Sequence, residues 1–394
     1  MKYDFDLIVD RRNTYSIKYD PAARGKPSDV LPLWVADMDF QAPPCILEEM
    51  TKQVQHGIFG YSEINQSYLE TLKNWFLRRF NWSVEEDWLV ITPGIVTAIH
   101  VAIRALTEKS DGIIIQQPVY HPFASSVQLA GRRLVVNELV YQNGRYNIDF
   151  DDFERKIQGN NVKMFILCSP HNPVGRVWTQ EELVCLADIC LQHGVIIISD
   201  EIHQDFVYDG HRHTVLAGLT PAYRDSVITC TAASKSFNLA GLQLSNIFIA
   251  NPDIKHRFMQ EYARCGLSQP GVMGIVATKA AYEKGEEWLT QLIDYLSGNF
   301  SFLTQFIADR LPGIRLVEPE GTYLAWLDFR SLGLNDQQLN EIILDRARLW
   351  LNDGPTFGAG GQGFQRMNIA CPRPTLRQAL EQLERALKTA TNHR

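Results

Sequence analysis

Three short segments carry side chains that could do chemistry together. SDEIH, Ser199–His203, closes the apolar run Val195–Ser199 and puts Asp200 at its carboxyl end. TAASKSFN, Thr231–Asn238, follows a second such run, Ser226–Thr231, and carries Lys235. SPHNPVG, Ser169–Gly175, follows a third, Met164–Cys168, and carries Asn172, which Pro173 restrains to an extended conformation. Ligands bind at the carboxyl ends of strands in open α/β sheets. Charges in an apolar domain are seldom left unpaired, so an acid and an amine at neighbouring strand ends need a chemical reason. A salt bridge at the sheet edge is one. Pyridoxal phosphate is another: a lysine forms a Schiff base with its aldehyde, an aspartate keeps its ring nitrogen protonated, and an asparagine amide donates to its phenolate oxygen. Each motif alone says little. Asn172, Asp200 and Lys235 in that order are specific.

The elements that must position them alternate. Strand candidates are Leu89–Ile91, Gly112–Ile115, Leu134–Leu139, Lys163–Cys168, Val195–Ser199, Ser226–Thr231 and Asn246–Ala250. Several are apolar without a break, which suits strands covered on both faces. Between them lie helical stretches; Thr179 with Glu182 is a capping box, and Gly194 ends that helix just before the next strand. The pattern is an α/β domain with a mostly parallel seven-stranded sheet flanked by helices, assigned to residues 46–284. After about residue 285 the texture changes to a long helical stretch, Leu292–Phe306, a strand-like Gly321–Phe329, a helix Asn335–Arg346, a strand at Gln365–Ala370 and a final helix. Residues 285–394 with 1–45 are assigned to a smaller α+β domain.

The chain has 394 residues, enough for two or three domains or a large one with a smaller partner. Hydrophobic residues are 45% and charged residues 21%, which excludes a disordered, collagen-like or coiled-coil chain. A formal net charge of −7 gives no global pull toward nucleic acid or anionic membrane. Seven scattered cysteines, none in C-x-x-C, read as reduced thiols of a cytoplasmic protein. No apolar run approaches the roughly 18–20 residues needed to span a bilayer, and MKYDFDLIVDRR lacks the apolar core of a signal peptide.

With these motifs in place the chain resembles the fold-type I pyridoxal-phosphate enzymes of the class I/II aminotransferase superfamily, and within it the MalY/PatB cystathionine β-lyase (C–S lyase) branch. The resemblance runs through nearly the whole chain, in Asp10–Arg11, LPLWVADMDF, HGIFGYS, SPHNPVGRVWT, ISDEIHQDF, SKSFNLAGLQ, GTYLAWLD and FQRMNIACPR. It implies Lys235 as Schiff-base lysine and base toward Cα, Asp200 at the pyridine nitrogen, and Asn172 at the ring hydroxyl. Tyr120 falls where an aromatic ring stacks on the cofactor, though without the resemblance it reads better as a packed loop tyrosine. Gly94, Ile95 and Val96 open a helix whose backbone amides suit a phosphate, with Ser234 adding a hydroxyl. Tyr61 matches a tyrosine that reaches the phosphate across a dimer interface, implying a homodimer with shared active sites. Arg366 matches the arginine that clamps the substrate α-carboxylate. Three positions depart from the common aminotransferase pattern: Ala232 where Ser or Thr usually binds phosphate, Gln243 where many have Arg, and His203 where a Tyr often meets the ring oxygen. His203 could contact the cofactor or stay neutral beside it.

Two other patterns are set aside. GAGGQG, Gly358–Gly363, has the dinucleotide spacing but precedes a strand instead of following one, so it reads as a flexible loop beside Arg366. His203, His211 and His213 have no Cys or carboxylate at ligand spacing and read as surface histidines, with no metal. The implied activity is α,β-elimination on an amino-acid substrate such as L-cystathionine or another cysteine S-conjugate. An aminotransferase shares every step up to loss of the Cα proton. A regulator acting through a partner transcription factor is an alternative of another class.

Overall fold

The computed structural model describes residues 2–391. Seven strands form one sheet: β1 Leu89–Thr92, β2 Gly112–Gln117, β3 Arg133–Glu138, β4 Val162–Cys168, β5 Ile196–Asp200, β6 Val227–Thr231 and β7 Ser245–Ile249. Their order across the sheet is β1-β7-β6-β5-β4-β2-β3. β7 runs antiparallel to both neighbours and every other pairing is parallel. The mostly parallel seven-stranded sheet expected from the sequence is present.

The strand period of two divides each run between two cores. Ile113, Ile115, Met164, Ile166, Ile198, Ile228 and Ile247 face the helices Ile95–Leu106, Pro122–Leu129 and Pro252–Arg264. Ile114, Phe165, Leu167, Ile197 and Phe248 face the opposite, larger core. Continuous apolar runs follow because both faces are covered. The helix Gln180–Gln192 carries the Thr179–Glu182 capping box in full, and Gly194 takes φ +64° before β5.

The strand ends that matter are aligned. Cys168 pairs with Asp200, and Asp200 with Cys230, so β4, β5 and β6 finish together. The chain turns away from that edge in three loops carrying Asn172, Ile202 and Lys235.

A second sheet is antiparallel and smaller: β8 Arg315–Leu316, β9 Leu324–Asp328, β10 Asn352–Asp353 and β11 Phe364–Asn368, in the order β8-β9-β11-β10. The helices Glu286–Arg310 and Arg373–Thr391 pack beside it. The expected helix Asn335–Arg346 is a short α-helix, Asp336–Asn340, continued by a π-helical turn, Glu341–Arg346. The N-terminal segment lies against this part of the chain. Leu31–Pro32 pairs with Leu349–Trp350, and the Asn368 amide donates to Val35 O and Asp37 O. A fully buried Lys18 meets Asp39 at 2.9 Å, and Arg11 meets Asp37 at 2.7 Å and Asp39 at 2.8 Å. Two cations and two carboxylates thus fix the segment just after Ala36. Among the described residues no helix is long and apolar enough to cross a membrane.

Candidate active site

A pocket of about 260 Å³ opens at the aligned strand ends, between the two sheets and the N-terminal segment. Asp200, Lys235, Asn172, Tyr120, Ser234, His203, Arg366 and the first turn Gly94–Val96 all line it. Of the residues given a cofactor or substrate role from the sequence, Tyr61 stands outside it. It is fully exposed beside exposed Ile58 and Phe59.

Asp200 is buried, and its carboxylate accepts a hydrogen bond from Ile202 N–H at 3.2 Å. No cation reaches it among the described residues. Burial raises its pKa from 3.8 to about 7, against smaller opposing effects of that hydrogen bond and of the Lys235 charge. A buried acid in this state suits a protonated ring nitrogen.

Lys235 sits on the short helix Ala233–Ser236 that follows β6, and its Nζ donates to Ala36 O at 2.6 Å. Burial lowers its pKa from 10.5 to about 8, opposed by Asp37 and Asp200 and assisted by Arg366. The same carbonyl accepts from Tyr323 O–H at 3.0 Å. Tyr323 follows Thr322, held at φ +66°, an unusual conformation for a β-branched residue.

Arg366, on β11, is buried, and among the described residues no carboxylate contacts it. Nη1 donates to Asn172 Oδ1 at 2.9 Å; Nη2 donates to Trp34 O at 2.7 Å and Asn352 Oδ1 at 2.6 Å. Its Nε has no partner, and burial lowers its pKa to about 10. An unpaired buried guanidinium at a pocket wall calls for an anion. Because Asn172 gives its oxygen to Arg366, its amide NH₂ is left to donate into the pocket.

Tyr120 follows β2, and its backbone N–H donates to Asn172 O at 3.0 Å; burial raises the phenol pKa. His203 is buried with Nδ1 unpartnered. Burial, then the charges of Lys235 and Arg366, hold it well below its ordinary pKa and so neutral. Gly94–Val96 begin the twelve-residue helix Ile95–Leu106 and line the pocket, and the free amides of a helix start are what a phosphate site needs. Amine, buried acid, amide donor, helix start and unpaired arginine together fit pyridoxal phosphate and an α-amino acid.

Two readings change. His203 and His213 are not on the surface: both are buried, His213 with Nε2 at 2.9 Å from Glu201 Oε2, and Glu201 also accepts from Ser199 Oγ at 2.8 Å. The loop after β5 folds back and gives the buried Glu201 its partners, while His211 stays partly exposed. GAGGQG is crowded: a Cβ on Gly354, just ahead of it, would lie 1.9 Å from Gly361 O, and one on Gly358 would lie 2.2 Å from the Gln117 side chain. The glycines answer close backbone approach there. Trp34 and Ala36 in LPLWVADMDF and Asn352 line the pocket, and Tyr323 stands behind Ala36; none of them had a role assigned from the sequence. Trp34, Ala36 and Tyr323 lay inside quoted motifs; Asn352 had no local signal.

A family model, aminotransferase class I and II, matches residues 28–383, and the chain belongs to that family. It is 40% identical to cystathionine β-lyase PatB of Bacillus subtilis (strain 168), over 98% of this chain and all of that one. Among solved structures it resembles cystalysin from Treponema denticola, which contains a pyridoxal 5'-phosphate cofactor, with TM-score 0.96 and 36% identity over 99% of this chain and 100% of that one. It also resembles the pyridoxal-phosphate-bound C–S lyase from Staphylococcus hominis, with TM-score 0.92 and 33% identity over 98% of both.

Proposed function

We propose that this member of the class I and II aminotransferase family is a pyridoxal-phosphate-dependent carbon–sulfur β-lyase. It cleaves L-cystathionine or another cysteine S-conjugate to a thiol, pyruvate and ammonia. The carrying observation is the convergence of Lys235, Asp200, Asn172 and an unpaired Arg366 in one pocket of a chain whose full-length relatives are named for that reaction.

Pyridoxal phosphate, when bound, supplies an aldehyde carbon for an amine nitrogen and a ring that accepts the electron pair released at Cα. Gly94–Val96 amides and Ser234 would hold its phosphate, Tyr120 its ring face, and Asn172 its ring oxygen. Asp200 would hold a proton at the ring nitrogen, since its burial favours a charged partner there. Arg366 receives the substrate carboxylate and so aims Cα. Lys235, its proton affinity lowered toward neutrality by burial, would take the Cα proton. Its amine has Ala36 O as a resting partner. The thiolate then leaves Cβ, and hydrolysis of the remaining enamine gives pyruvate and ammonia.

Tyr61, exposed in its own chain beside Ile58 and Phe59, is assigned to the phosphate site of a second copy, giving a homodimer with shared active sites. The unpaired cysteines suit a reducing, cytoplasmic setting. The division into residues 46–284 and 1–45 with 285–394 is proposed as the two bodies that enclose the site. Aminotransfer is the runner-up that the family description supports.

The deciding experiment is pyruvate release from L-cystathionine by the holoenzyme with no keto acid present. Many turnovers per site establish elimination. A single half-reaction that resumes only with added keto acid makes the protein an aminotransferase. The K235A variant should lose turnover in either case.

A further inference from the structure

Asn352 stands beside Arg366 at the pocket wall. The two are directly opposite across the antiparallel pair of β10 and β11, so their side chains share a face with Cβ atoms about 4.5–5.5 Å apart. Asn352 Oδ1 accepts from Arg366 Nη2 at 2.6 Å. A guanidinium only donates, so the carboxamide oxygen must face it and the NH₂ end must face away. Asn352 is half-buried and lines the pocket. On the same guanidinium, Nη1 is engaged by Asn172 and Nη2 also by Trp34 O, while Nε is buried without a partner. That corner therefore holds an uncompensated positive charge with a neutral amide on its rim.

We propose that Asn352 is a substrate-carboxylate residue: its oxygen orients the Arg366 guanidinium and its NH₂ donates to the α-carboxylate of the bound amino acid. The proposal rests on the reading that the pocket takes α-amino acids. It makes the carboxylate site a pair of facing residues from one sheet, a cation and a neutral donor.

The test compares two probes with the same side chain and no leaving group, L-norleucine and its decarboxylated counterpart n-pentylamine. Each is titrated into the holoenzyme and followed by the change in the cofactor's visible absorption. N352A should weaken L-norleucine about tenfold, the loss of one hydrogen bond to a charged group, and leave n-pentylamine within about twofold. N352D keeps the size but pairs its own carboxylate with Arg366 and repels the ligand's, so L-norleucine should weaken by about a hundredfold while n-pentylamine does not. Equal weakening of both probes in N352A, or an N352D variant that binds L-norleucine like the wild type, would overturn the proposal. A wild type that releases no pyruvate would sink the lyase reading without touching this ratio.

Discussion

Replacing Asp200 by asparagine sets two consequences of one buried carboxyl group against each other. Without cofactor, burial moves its pKa from 3.8 to about 7. Between those values the folded protein keeps a proton that the unfolded chain has already released. The stabilising contribution is therefore complete below pH 3.8 and is lost as pH rises to about 7. At about 1.4 kcal/mol per pH unit, the interval from about pH 5 to 7 removes about 3 kcal/mol. Asparagine has no proton to lose and the same hydrogen bond from Ile202 N–H to accept. The cofactor-free D200N protein should therefore gain on the wild type by about 3 kcal/mol between about pH 5 and pH 8, or about 3–6 °C in Tm for a chain this long. With cofactor the sign reverses. Asparagine cannot hold the ring nitrogen protonated, so elimination should fall by roughly a hundredfold or more. Calorimetric melts of both cofactor-free proteins at the two pH values, with pyruvate assays on the loaded forms, measure both sides. A stability difference that does not change with pH would refute the reasoning, because it would mean that the carboxylate is compensated by a partner the fold does not provide.

Co-expressed K235A and Y61A chains should recover about a quarter of wild-type activity if sites are shared, because half the random dimers carry one site with both native residues; no recovery would place Tyr61 in its own chain's business alone. Cofactor uptake by the cofactor-free protein needs neutral Lys235, lowered by burial to about 8, so the rate should rise with pH and level off above about that value. Stopped-flow absorbance that still climbs steeply at pH 10 would contradict it. Arg176 is buried between Glu320 at 2.9 Å and Glu182 at 2.7 Å. R176M should lower stability by about 3–5 kcal/mol, since it removes one side of a buried pair, and thermal denaturation showing a loss under about 1 kcal/mol would mean Arg145 alone satisfies Glu320.

The seven strands were legible because strands covered on both faces leave unbroken apolar runs; each observed strand ends within two residues of its expected limits. Asp200, Asn172 and Lys235 were legible for a related reason, as polar residues that break such runs at the end where a sheet binds ligands. Other parts of the site left no local trace. Asn352 matters through its cross-strand position opposite Arg366, which no periodicity in LWLNDGP reveals. Ala36 acts through its carbonyl oxygen, so its side chain carries no signal. His213 lies two residues from exposed His211 in a loop, and only the fold shows that Glu201 needs it. Tyr61 is the opposite case: only the family resemblance implies its role, and in its own chain it stands exposed outside the pocket.

The pocket joins three parts of the chain that are far apart in sequence, and their relative placement is set by contacts outside it. Asn172 lies on a hairpin closed by the His171–Arg176 bridge, and Gly175 O of that hairpin accepts from Glu320 N–H and Gly321 N–H. Arg176 and Val177 N–H then bind Glu320 from the same side. This clamp fixes the loop just ahead of Tyr323 and β9, and β9 pairs with β11, where Arg366 sits. On the far wall, Lys18 and Arg11 hold Asp37 and Asp39 and thereby the carbonyl of Ala36 against Lys235. A displacement of about 1 Å in a positioned catalytic group can cost about a hundredfold in rate. Substitutions in either ionic cluster should therefore disturb substrate orientation before they unfold the chain.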